Sequence, residues 1–508
     1  MCTKVSKLRG DISVALIGLD GVGESLLVSV TKKYNLKYLA RFIPNIVTFK
    51  SIPPYTPLAW TSIMTGVNPG KHGIFGFSNI KRGPNGELLR FHINSARDVM
   101  FPRLFEILSM RGVRSIIINI PFTYPFRYVY GFRDNIIVTD WTVPRQHIWP
   151  RNLESKYRKI LKMAPPHDWS EATSPIAYVE NIEKFLRSRL MLYYDLVDEE
   201  EWGLFVIIFS ETDWIQHILP PTIFLDVTSE AGIVARDIWR EIDEFVGYLL
   251  RHTNFSFIVS DHSFSRKSLT LYVYNLLERI GIIHTTKLLK MYYHLRFRAK
   301  NPIIKKTLKL IRHTAGLLGL RSPFKKNQST PITTRVILTE PETLGIYISR
   351  DRNYEATKQQ IIALNRYQRC IRFLDARDIY WGPHTRRGPD IVYIVKSFID
   401  IKTWGLSVLS KGTSYNHDYP AIVSFYARNN GRTKVIADIL SHGLIMYDLA
   451  PIILWLFGAF APYRFDSQMS VKKILTEKIE DKIIHENRKM YKQILRRFMI
   501  RKLYYFYQ

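Results

Sequence analysis

The stretch VALIGLD, residues 14–20, decides the fold class of this 508-residue chain. Its six apolar or glycine residues before the aspartate leave no polar face, which predicts a strand that is covered on both sides. Comparable runs that end abruptly in polar residues lie at 114–121, 204–213, 255–262 and 389–395. Such strands are typical of a parallel sheet with helices on both faces.

Amphipathic stretches between these runs, such as 101–112 and 235–252, predict the covering helices. The alternation predicts an α/β fold with a doubly wound, mainly parallel sheet flanked by helices. Binding sites in such sheets form beyond the carboxyl ends of the strands. Three of the runs carry Asp or Asp-His at or near that end, namely Asp20, Asp213, and Asp261 with His262.

The composition excludes several classes of protein. Two cysteines, Cys2 and Cys370, cannot form a disulfide framework, and no CxxC pair occurs, which favours a cytoplasmic location. The apolar run 450–462 is shorter than a bilayer span and predicts a buried core helix. The formal net charge of +29 predicts an anionic partner, such as nucleic acid, a polyanionic substrate, or an anionic membrane surface at which the protein would lie peripherally.

Two segments carry much of this charge. Residues 287–326 contain twelve Lys or Arg and no acid, and residues 471–508 have no acid after Glu486. Both predict basic helices through which the protein would bind an anionic membrane surface or nucleic acid. The predicted organisation is a first core segment at 12–285, a basic helical insert at 286–335, a second core segment at 336–468 and a basic helical tail at 469–508.

The loop GLDGVG, residues 18–23, follows the first strand, so a phosphate-binding glycine loop is one interpretation. Its GxxGxG order differs from the GxGxxG of dinucleotide-binding folds, and no GK[ST] follows. The residue of interest is therefore Asp20, a carboxylate at a strand end. In isolation, such an aspartate is usually a helix cap or a turn residue.

Two Asp/His pairs indicate metal binding. The segment ETDWIQH (211–217) places Asp213 and His217 four residues apart, which puts both on one face if a helix begins here. Asp261 and His262 end a very apolar strand, where ionisable side chains are costly unless they are paired or coordinated. Carboxylate oxygen and imidazole nitrogen are ordinary ligands of Zn²⁺. Two later histidines, His417 and His384, are rivals for a further ligand position.

The stretch PPYTPLAWTSIMTGVNPGKHG (53–73) crowds three threonines and a serine between turn-forming residues. It predicts either a capped helix start or a nucleophile. A threonine hydroxyl is a weak nucleophile at neutral pH unless a bound cation lowers its pKa. Two cations about 4 Å apart also stabilise the entering and leaving oxygens of a phosphoryl transfer. The alcohols and the Asp/His pairs together predict that chemistry.

These blocks together resemble the alkaline phosphatase superfamily, in its type I phosphodiesterase/nucleotide pyrophosphatase family. The resemblance is carried, in family order across most of residues 12–460, by VALIGLDG, PPYTPLAWTSIMTGVNPGKHGIFGF, SARDVMFPRLFEILSMRGVRSIIINIPFTYP, FSETDWIQH, IVSDHSF, WGPHTRRGPDIVYI and LIMYDLAPIILWLFG. It implies an alkaline phosphatase-like fold. It also implies a hydrolase of phosphoric esters, a phosphodiesterase or phosphatase, that forms a phosphothreonine intermediate at a two-metal site.

The resemblance implies roles for individual residues. The family's nucleophile matches Thr56, with Thr61 and Ser62 as rivals, whereas Trp60 and His72 shape the loop. One divalent cation would be bound by Asp20, Thr56, Asp261 and His262. A second would be bound by Asp213, His217 and a late histidine, best matched by His417. Both cations would be Zn²⁺, with Mn²⁺ as the alternative.

The sequence departs from the family pattern at three points. Ser263 replaces the usual glycine after Asp-His, and Phe77 stands where nucleotide pyrophosphatases carry a phosphoryl-binding asparagine. Asn79, two residues on, is the predicted substitute for substrate binding. The basic insert and tail are additions to the family pattern.

The alternative function is a phosphatase-like scaffold without activity, which binds nucleic acid or anionic membrane through its basic surface. Because every expected ligand position is filled, we favour the enzyme; a sulfatase is disfavoured because TPLAW lacks the CxPxR or SxPxR block.

Overall fold

The structure is a computed structural model that describes residues 12–168, 172–283, 336–338, 344–366, 370–405, 407–428, 431–461, 464–479 and 481–504. The strands are β1 (Val14–Leu19), β2 (Val47–Phe49), β3 (Ser78–Arg82), β4 (Leu88–Ile93), β5 (Ser115–Ile118), β6 (Ile136–Val138), β7 (Ile148–Trp149), β8 (Leu204–Phe209), β9 (Phe255–Val259), β10 (Ser263–Tyr272), β11 (Val336–Leu338), β12 (Gly345–Ile348), β13 (Ile371–Asp375), β14 (Ile391–Val395), β15 (Ile399–Lys402), β16 (Leu409–Asp418) and β17 (Ala421–Ala427).

The α-helices are α1 (Glu24–Tyr34), α2 (Thr56–Thr65), α3 (Pro69–His72), α4 (Leu104–Ser109), α5 (Arg151–Lys156), α6 (Arg158–Leu161), α7 (Pro175–Glu199), α8 (Glu211–Ile218), α9 (Pro221–Phe224), α10 (Glu230–His252), α11 (Val273–Arg279), α12 (Tyr354–Ala363), α13 (Gly431–Ser441), α14 (Leu449–Leu456), α15 (Met469–Glu477) and α16 (Asp481–Tyr504). Short 3₁₀ helices lie at Leu39–Asn45, Phe126–Tyr128, Phe132–Asp134, Leu364–Arg366, Ala376–Asp378 and Thr385–Arg387. No helix among the described residues combines the length and the apolar character needed to cross a membrane.

The chain divides into two compact units. The first comprises the described residues of 1–74, 94–264 and 417–508, and the second comprises the described residues of 75–93 and 265–416. The basic insert at 286–335 lies outside the described residues, so the sequence-based division of the core at this insert stays a prediction. Among its described residues, the tail forms the helices α15 and α16.

An eight-stranded sheet forms the centre of the first unit, in the order β2-β17-β9-β1-β8-β5-β6-β7. Its five inner strands, from β9 to β6, run parallel, whereas β17 and β7 are antiparallel to their neighbours. β1 lies in the middle, and its side chains alternate between two apolar clusters. Val14 and Leu16 pack into one cluster, and Ala15, Ile17 and Leu19 pack into the other. The predicted doubly wound parallel sheet, covered on both faces, is thus confirmed.

Helices on each face bury that sheet. The predicted helix at 235–252 forms most of α10. The apolar side of α10 packs into the cluster that contains Ala15, Ile17 and Leu19. The apolar run at 450–462 contributes α14, which is buried along its whole length in the other cluster. This burial agrees with its prediction as a core helix.

Most of the strand pairing in the second unit is antiparallel, whereas β10 and β15 pair parallel. It contains a four-stranded sheet in the order β11-β12-β14-β13, most of a three-stranded sheet in the order β15-β10-β16, and the hairpin β3-β4. One prediction is corrected here. The run at 389–395 forms β14, which pairs antiparallel with β12 and β13 and does not join the parallel sheet. An apolar run of this length fits either kind of sheet, and its partners decide between them.

Candidate metal centre

The carboxyl ends of three neighbouring strands bring the predicted ligands together in the first unit. β1 lies between β8 and β9, with Leu19 beside Phe209 and Gly18 beside Val259. All three strands run parallel, so the residues that follow them emerge at the same edge of the sheet. Those residues are Asp20 after β1, the start of α8 after β8, and Asp261 with His262 after β9.

Hydrogen bonds fix the turn that carries Asp20. Gly21 has a φ of 72°, a left-handed conformation that glycine adopts without strain, and its N–H donates to Asp261 Oδ1 at 3.2 Å. Thr212 Oγ1 donates to the Asp20 carbonyl at 2.7 Å, and Gln216 Nε2 donates to the Gly21 carbonyl at 3.0 Å. The sequence analysis missed Thr212 and Gln216. Their spacing of four residues within ETDWIQH, the same as that of Asp213 and His217, was the available signal.

The Asp213 carboxylate lies at the centre of one ligand group. A helix does begin at Glu211, as predicted, so Asp213 and His217 share a face, with His217 Nε2 3.3 Å from Asp213 Oδ2. His417, near the end of β16, places Nε2 3.4 Å from Asp213 Oδ1 and 3.2 Å from His217 Nε2. Its rival His384 lies in the second unit, at the start of a short 3₁₀ helix.

His262 lies at the centre of a second group. Its Nε2 is 3.3 Å from Asp261 Oδ2, 3.6 Å from Asp20 Oδ1 and 4.0 Å from Asp213 Oδ1. Its other ring nitrogen, Nδ1, lies 3.2 Å from the Ser263 carbonyl, which can only accept a hydrogen bond. In a neutral ring, this contact places the proton on Nδ1, so that the Nε2 lone pair faces the carboxylates. A carbonyl on the far nitrogen is the usual way in which a protein orients a metal-binding histidine.

The donor set fits divalent cations. Three buried carboxylate oxygens, Asp20 Oδ1, Asp213 Oδ1 and Asp261 Oδ2, lack a hydrogen bond within the described part of the chain. Leaving such atoms unsatisfied costs free energy unless a positive charge compensates them. Two groups of three residues each place one ligand atom apiece within 4.8 Å of one another: Asp213, His217 and His417, and Asp20, Asp213 and His262. Asp213 belongs to both groups.

The electrostatics of the two groups differ. Burial, reinforced by the neighbouring charges of Asp261 and Asp213, raises the pKa of Asp20 well above its usual value, and burial also raises the pKa of Asp261. Burial alone would raise the pKa of Asp213 too, but the adjacent His217 and His417 imidazoles outweigh that effect and lower it. Burial, with His262 nearby, lowers the pKa of His417 to about 3. A neutral imidazole is the form that binds a metal.

Thr56 is the alcohol that faces this centre. It is the first residue of α2, and its Oγ1 lies 3.2 Å from His262 Nε2. The rival alcohols are engaged elsewhere, because Thr61 Oγ1 donates to the Pro57 carbonyl at 2.6 Å and Ser62 Oγ lies 3.0 Å from His72 Nε2. The stretch does begin a helix, and it directs one alcohol, that of Thr56, at the ligands; that Thr56 is the nucleophile stays a prediction.

Close packing fixes α2 against β1, the strand that Asp20 follows. A Cβ at Gly18 of β1 would lie 2.6 Å from the Trp60 ring, so only glycine allows this approach. His72 Nδ1 accepts the N–H of Ile74 at 3.2 Å, which leaves its Nε2 proton for Ser62. Trp60 and His72 thus shape the loop, as predicted.

The departures from the family pattern have structural counterparts. Ser263 is accommodated opposite Gly23, where an added Cβ would lie 2.8 Å from the serine Cβ. Asn79 is a buried residue of β3 in the second unit. Its role in substrate binding stays a prediction.

A comparison with known families settles the assignment. Residues 14–327 match the sequence profile of the family described as type I phosphodiesterase / nucleotide pyrophosphatase. The chain belongs to that family. The resemblance drawn from the motifs is confirmed, and with it the expectation of an enzyme that hydrolyses phosphoric esters. No curated protein sequence matches the chain.

Three solved structures are similar to this chain at low sequence identity, and the first of them shares its fold. Phosphonoacetate hydrolase from Sinorhizobium meliloti 1021, in complex with phosphonoformate, superimposes with a TM-score of 0.50 at 14% identity, over 86% of this chain and 96% of that one. Murine ectonucleotide pyrophosphatase/phosphodiesterase 5 gives 0.46 at 11% identity, over 88% and 95% of the two chains. The alkaline phosphatase PafA gives 0.47 at 11% identity, over 92% and 97%.

Proposed function

We propose that this family member is a metal-dependent phosphohydrolase, of the phosphodiesterase/nucleotide pyrophosphatase kind, that forms a phosphothreonine intermediate on Thr56. The observation that carries the proposal is the 3.2 Å approach of Thr56 Oγ1 to the buried His262 Nε2, beside three buried carboxylates and two further imidazoles. A set of this composition supports two divalent cations, for which Zn²⁺ is favoured and Mn²⁺ is the alternative.

The ligands divide between the two cations. Asp20, Asp261 and His262, with Thr56 itself, would hold one, and Asp213, His217 and His417 would hold the other. Asp213 Oδ1 lies close to both groups, at 3.4 Å from His417 Nε2 and 4.0 Å from His262 Nε2. When bound, the cations supply positive charge that lowers the pKa of the threonine hydroxyl and neutralises charge on the phosphoryl oxygens.

The residues of the chain perform the transfer in two steps. Thr56 Oγ1 attacks phosphorus, a bond forms between them, and the bond from phosphorus to the leaving alcohol breaks. Water then attacks the phosphothreonine, which restores the hydroxyl and releases the phosphate product. Thr56 is also helped by its position, because the positive end of the α2 dipole stabilises the alkoxide and the phosphoryl oxygens around it.

A turnover assay tests the proposal. The protein is stripped of metal, reloaded with Zn²⁺ or Mn²⁺, and assayed on bis-p-nitrophenyl phosphate and p-nitrophenyl phosphate. We expect metal-dependent turnover that Thr56→Ala and Asp213→Ala both abolish, and the ratio of the two rates gives the preference for diester or monoester. A protein that binds no metal and turns over neither ester would instead support the inactive scaffold.

We further propose that the tail directs the enzyme to an anionic membrane surface. One side of α16 packs into the core. Its buried residues are Asn487, Tyr491, Ile494 and Phe498. The side facing solvent is basic, with Arg488, Lys489, Lys492, Arg496 and Arg497 exposed. Nucleic-acid binding usually adds exposed aromatic rings that stack on bases, but the two aromatic rings of α16 whose burial the structure describes, Tyr491 and Phe498, are buried. The exposed Met499 and Ile500 suit a lipid surface instead.

Vesicle binding tests this second proposal. The triple variant Lys492→Gln/Arg496→Gln/Arg497→Gln should lose sedimentation with vesicles containing phosphatidylserine, while vesicles of phosphatidylcholine alone bind neither protein. The control carries the same charge change on exposed lysines elsewhere, Lys32→Gln/Lys33→Gln/Lys37→Gln. Equal binding by the two variants would contradict the proposal, and salt-sensitive binding to RNA in place of vesicles would favour nucleic acid. The insert at 287–326 lies outside the described residues and stays a prediction.

A further inference from the structure

The second unit contains a cavity of about 340 Å³ that is separate from the residues of the metal centre. It is lined by α12 and by the segment that follows β13, and its lining includes the cations Arg350, Lys358, Arg377 and Arg386. A volume of this size is within the range of small-molecule sites. The charges around the cavity indicate which class of ligand it fits.

Asp390 forms one side of this charge arrangement. It is buried, and its carboxylate is paired with the guanidinium groups of both Arg82 and Arg350, the latter at 3.3 Å. The Tyr354 hydroxyl donates to it at 3.0 Å, and so does the Ile348 N–H at 2.8 Å. The single negative charge of Asp390 therefore serves two arginines.

Asp375 forms the other side in the same way. Lys358 Nζ lies 2.6 Å from Asp375 Oδ2, and Arg377 Nη2 lies 2.7 Å from the same oxygen. The Lys358 side chain is only 1% exposed, so its charge is screened little by water. This carboxylate also serves two cations.

The count leaves an excess of positive charge. Two carboxylates face four cations: three of the cations line the cavity, and the fourth, Arg82, contacts Asp390 from outside the lining. The other charged lining residues among those described, Glu355 and Arg386, are exposed and offset each other. The excess is therefore two positive charges, part of it on buried groups, and buried charge is costly without a counter-charge. Arg350 Nε is, in addition, a buried donor that makes no hydrogen bond among the described residues.

We propose that this cavity binds the dianion of an organic phosphate monoester. A phosphate monoester carries close to two negative charges above its second pKa of about 6, which matches the excess. Arginines and lysines are the side chains that recognise phosphate. The rings of Tyr354 and Tyr380 also line the cavity and offer apolar surface to the organic part of the ligand. The inference does not rest on the proposed function of the metal centre.

A purely structural role predicts a different behaviour. In that case the four ion pairs only hold α12 against β13 and β14, and removing any member lowers stability without changing the binding of an anion. Removing a cation and removing a carboxylate in separate variants distinguishes phosphate binding from a purely structural role. Losing a cation at the surface should weaken phosphate binding, whereas losing a carboxylate should strengthen it.

The experiment is isothermal titration at pH 8 of the full chain in a Thr56→Ala/Asp213→Asn background, which disables phosphate binding at the metal centre. Phenyl phosphate is the probe, phenyl sulfate is the monoanionic control, and inorganic phosphate tests whether the organic part contributes. We expect phenyl phosphate to bind more tightly than either. Arg377→Gln, a change at a side chain that is 71% exposed, should weaken binding about tenfold, and Asp375→Asn should tighten it.

Arg372→Gln, an exposed arginine of β13 outside the cavity lining, is the matched control and should bind like the background protein. Thermal melting verifies that each variant is folded. No binding of phenyl phosphate at millimolar concentration would overturn the proposal, and so would equal weakening by Arg377→Gln and Arg372→Gln. Tighter binding of inorganic phosphate than of phenyl phosphate would overturn the assignment to an organic monoester.

Discussion

Thr56 Oγ1 lies 3.2 Å from His262 Nε2, and the two residues are 206 positions apart in the sequence. One begins a helix, and the other follows the end of a central strand. His262 Nδ1 lies 3.2 Å from the Ser263 carbonyl, and in a neutral ring this contact leaves the Nε2 lone pair facing the threonine and the carboxylates. This relationship joins the predicted nucleophile to the predicted metal ligands.

Replacing the nucleophile should remove activity and spare the fold. Thr56→Ala should lower turnover of bis-p-nitrophenyl phosphate by at least about 10³-fold, because no other alcohol of α2 faces the ligands. Ser62→Ala is the matched control. It loses the contact to His72 and should cost about 1 kcal/mol of unfolding free energy while retaining most of the activity. Comparable losses of activity in both variants would contradict the assignment.

The late histidine can be identified by metal content. His417→Ala should lower the bound metal measured by plasma mass spectrometry from two equivalents to one, because His417 lies within ligand distance of Asp213 and His217. His384→Ala should leave both equivalents in place, since His384 lies outside this group. The reverse pattern would move the ligand assignment to His384.

Removal of the metals should also destabilise the protein. Asp20, Asp213 and Asp261 are buried together, and without cations the repulsion between ionised carboxylates is uncompensated. Chelation should therefore lower the melting temperature by several degrees, and Zn²⁺ should restore it. In Asp213→Asn the effect of chelation should be smaller. An identical melting temperature with and without metal in the wild-type protein would show that no cation binds to the folded state.

The contact between β1 and α2 makes a prediction about stability. Gly18→Ala should cost about 1–3 kcal/mol and reduce activity, because the added Cβ would lie 2.6 Å from the Trp60 ring and 2.9 Å from Ile208. Gly431→Ala is the control, since a Cβ there meets nothing within 4 Å. Denaturant unfolding of both variants measures the difference. An unchanged unfolding free energy in Gly18→Ala would mean that the ring moves freely.

A buried acid outside the metal centre should make stability fall as pH rises. Burial raises the pKa of Asp140 to about 7, well above its unfolded value of 3.8. The folded state then binds the proton more tightly than the unfolded state. The contribution of Asp140 is therefore fully present below pH 3.8, and it is lost as pH rises through 7.

Asp140→Asn should remove this part of the pH dependence, worth about 2–4 kcal/mol between pH 4 and pH 8. Urea unfolding of the wild type and the variant at both pH values checks it. Parallel pH profiles for the two proteins would contradict the assigned pKa.

The fold could be predicted where the sequence pattern is strong. β1, β8 and β9 are apolar on both faces and end in ionisable residues, so the sheet and its functional edge follow from the pattern. The run at 389–395 has the same composition yet lies in an antiparallel sheet, because composition does not encode the partner strand. The cut between the two units at 264 and 416 also falls inside runs with no compositional change.

The metal ligands of the candidate site could be predicted from the sequence, but the residues that hold those ligands in position could not. Asp213 and His217 are recognisable from their spacing, whereas Thr212 and Gln216 act through hydrogen bonds to the backbone of another element. Their partners lie near Asp20, almost two hundred residues away. The resemblance matched Thr56 to the nucleophile, with Ser62 as a rival. That Thr56 contacts His262 while Ser62 contacts His72 could not be predicted from the sequence, since both residues are alcohols.

The central claim is that Thr56 becomes covalently phosphorylated, and acid quenching tests it most directly. The zinc-loaded enzyme is mixed with excess bis-p-nitrophenyl phosphate, stopped in acid at short times, and mapped by peptide mass spectrometry. The account predicts an adduct of the substrate minus one p-nitrophenol on Thr56, absent from Thr56→Ala, with a matching burst of p-nitrophenol. An adduct on Thr61 or Ser62, or steady turnover with no adduct at any time, would contradict it.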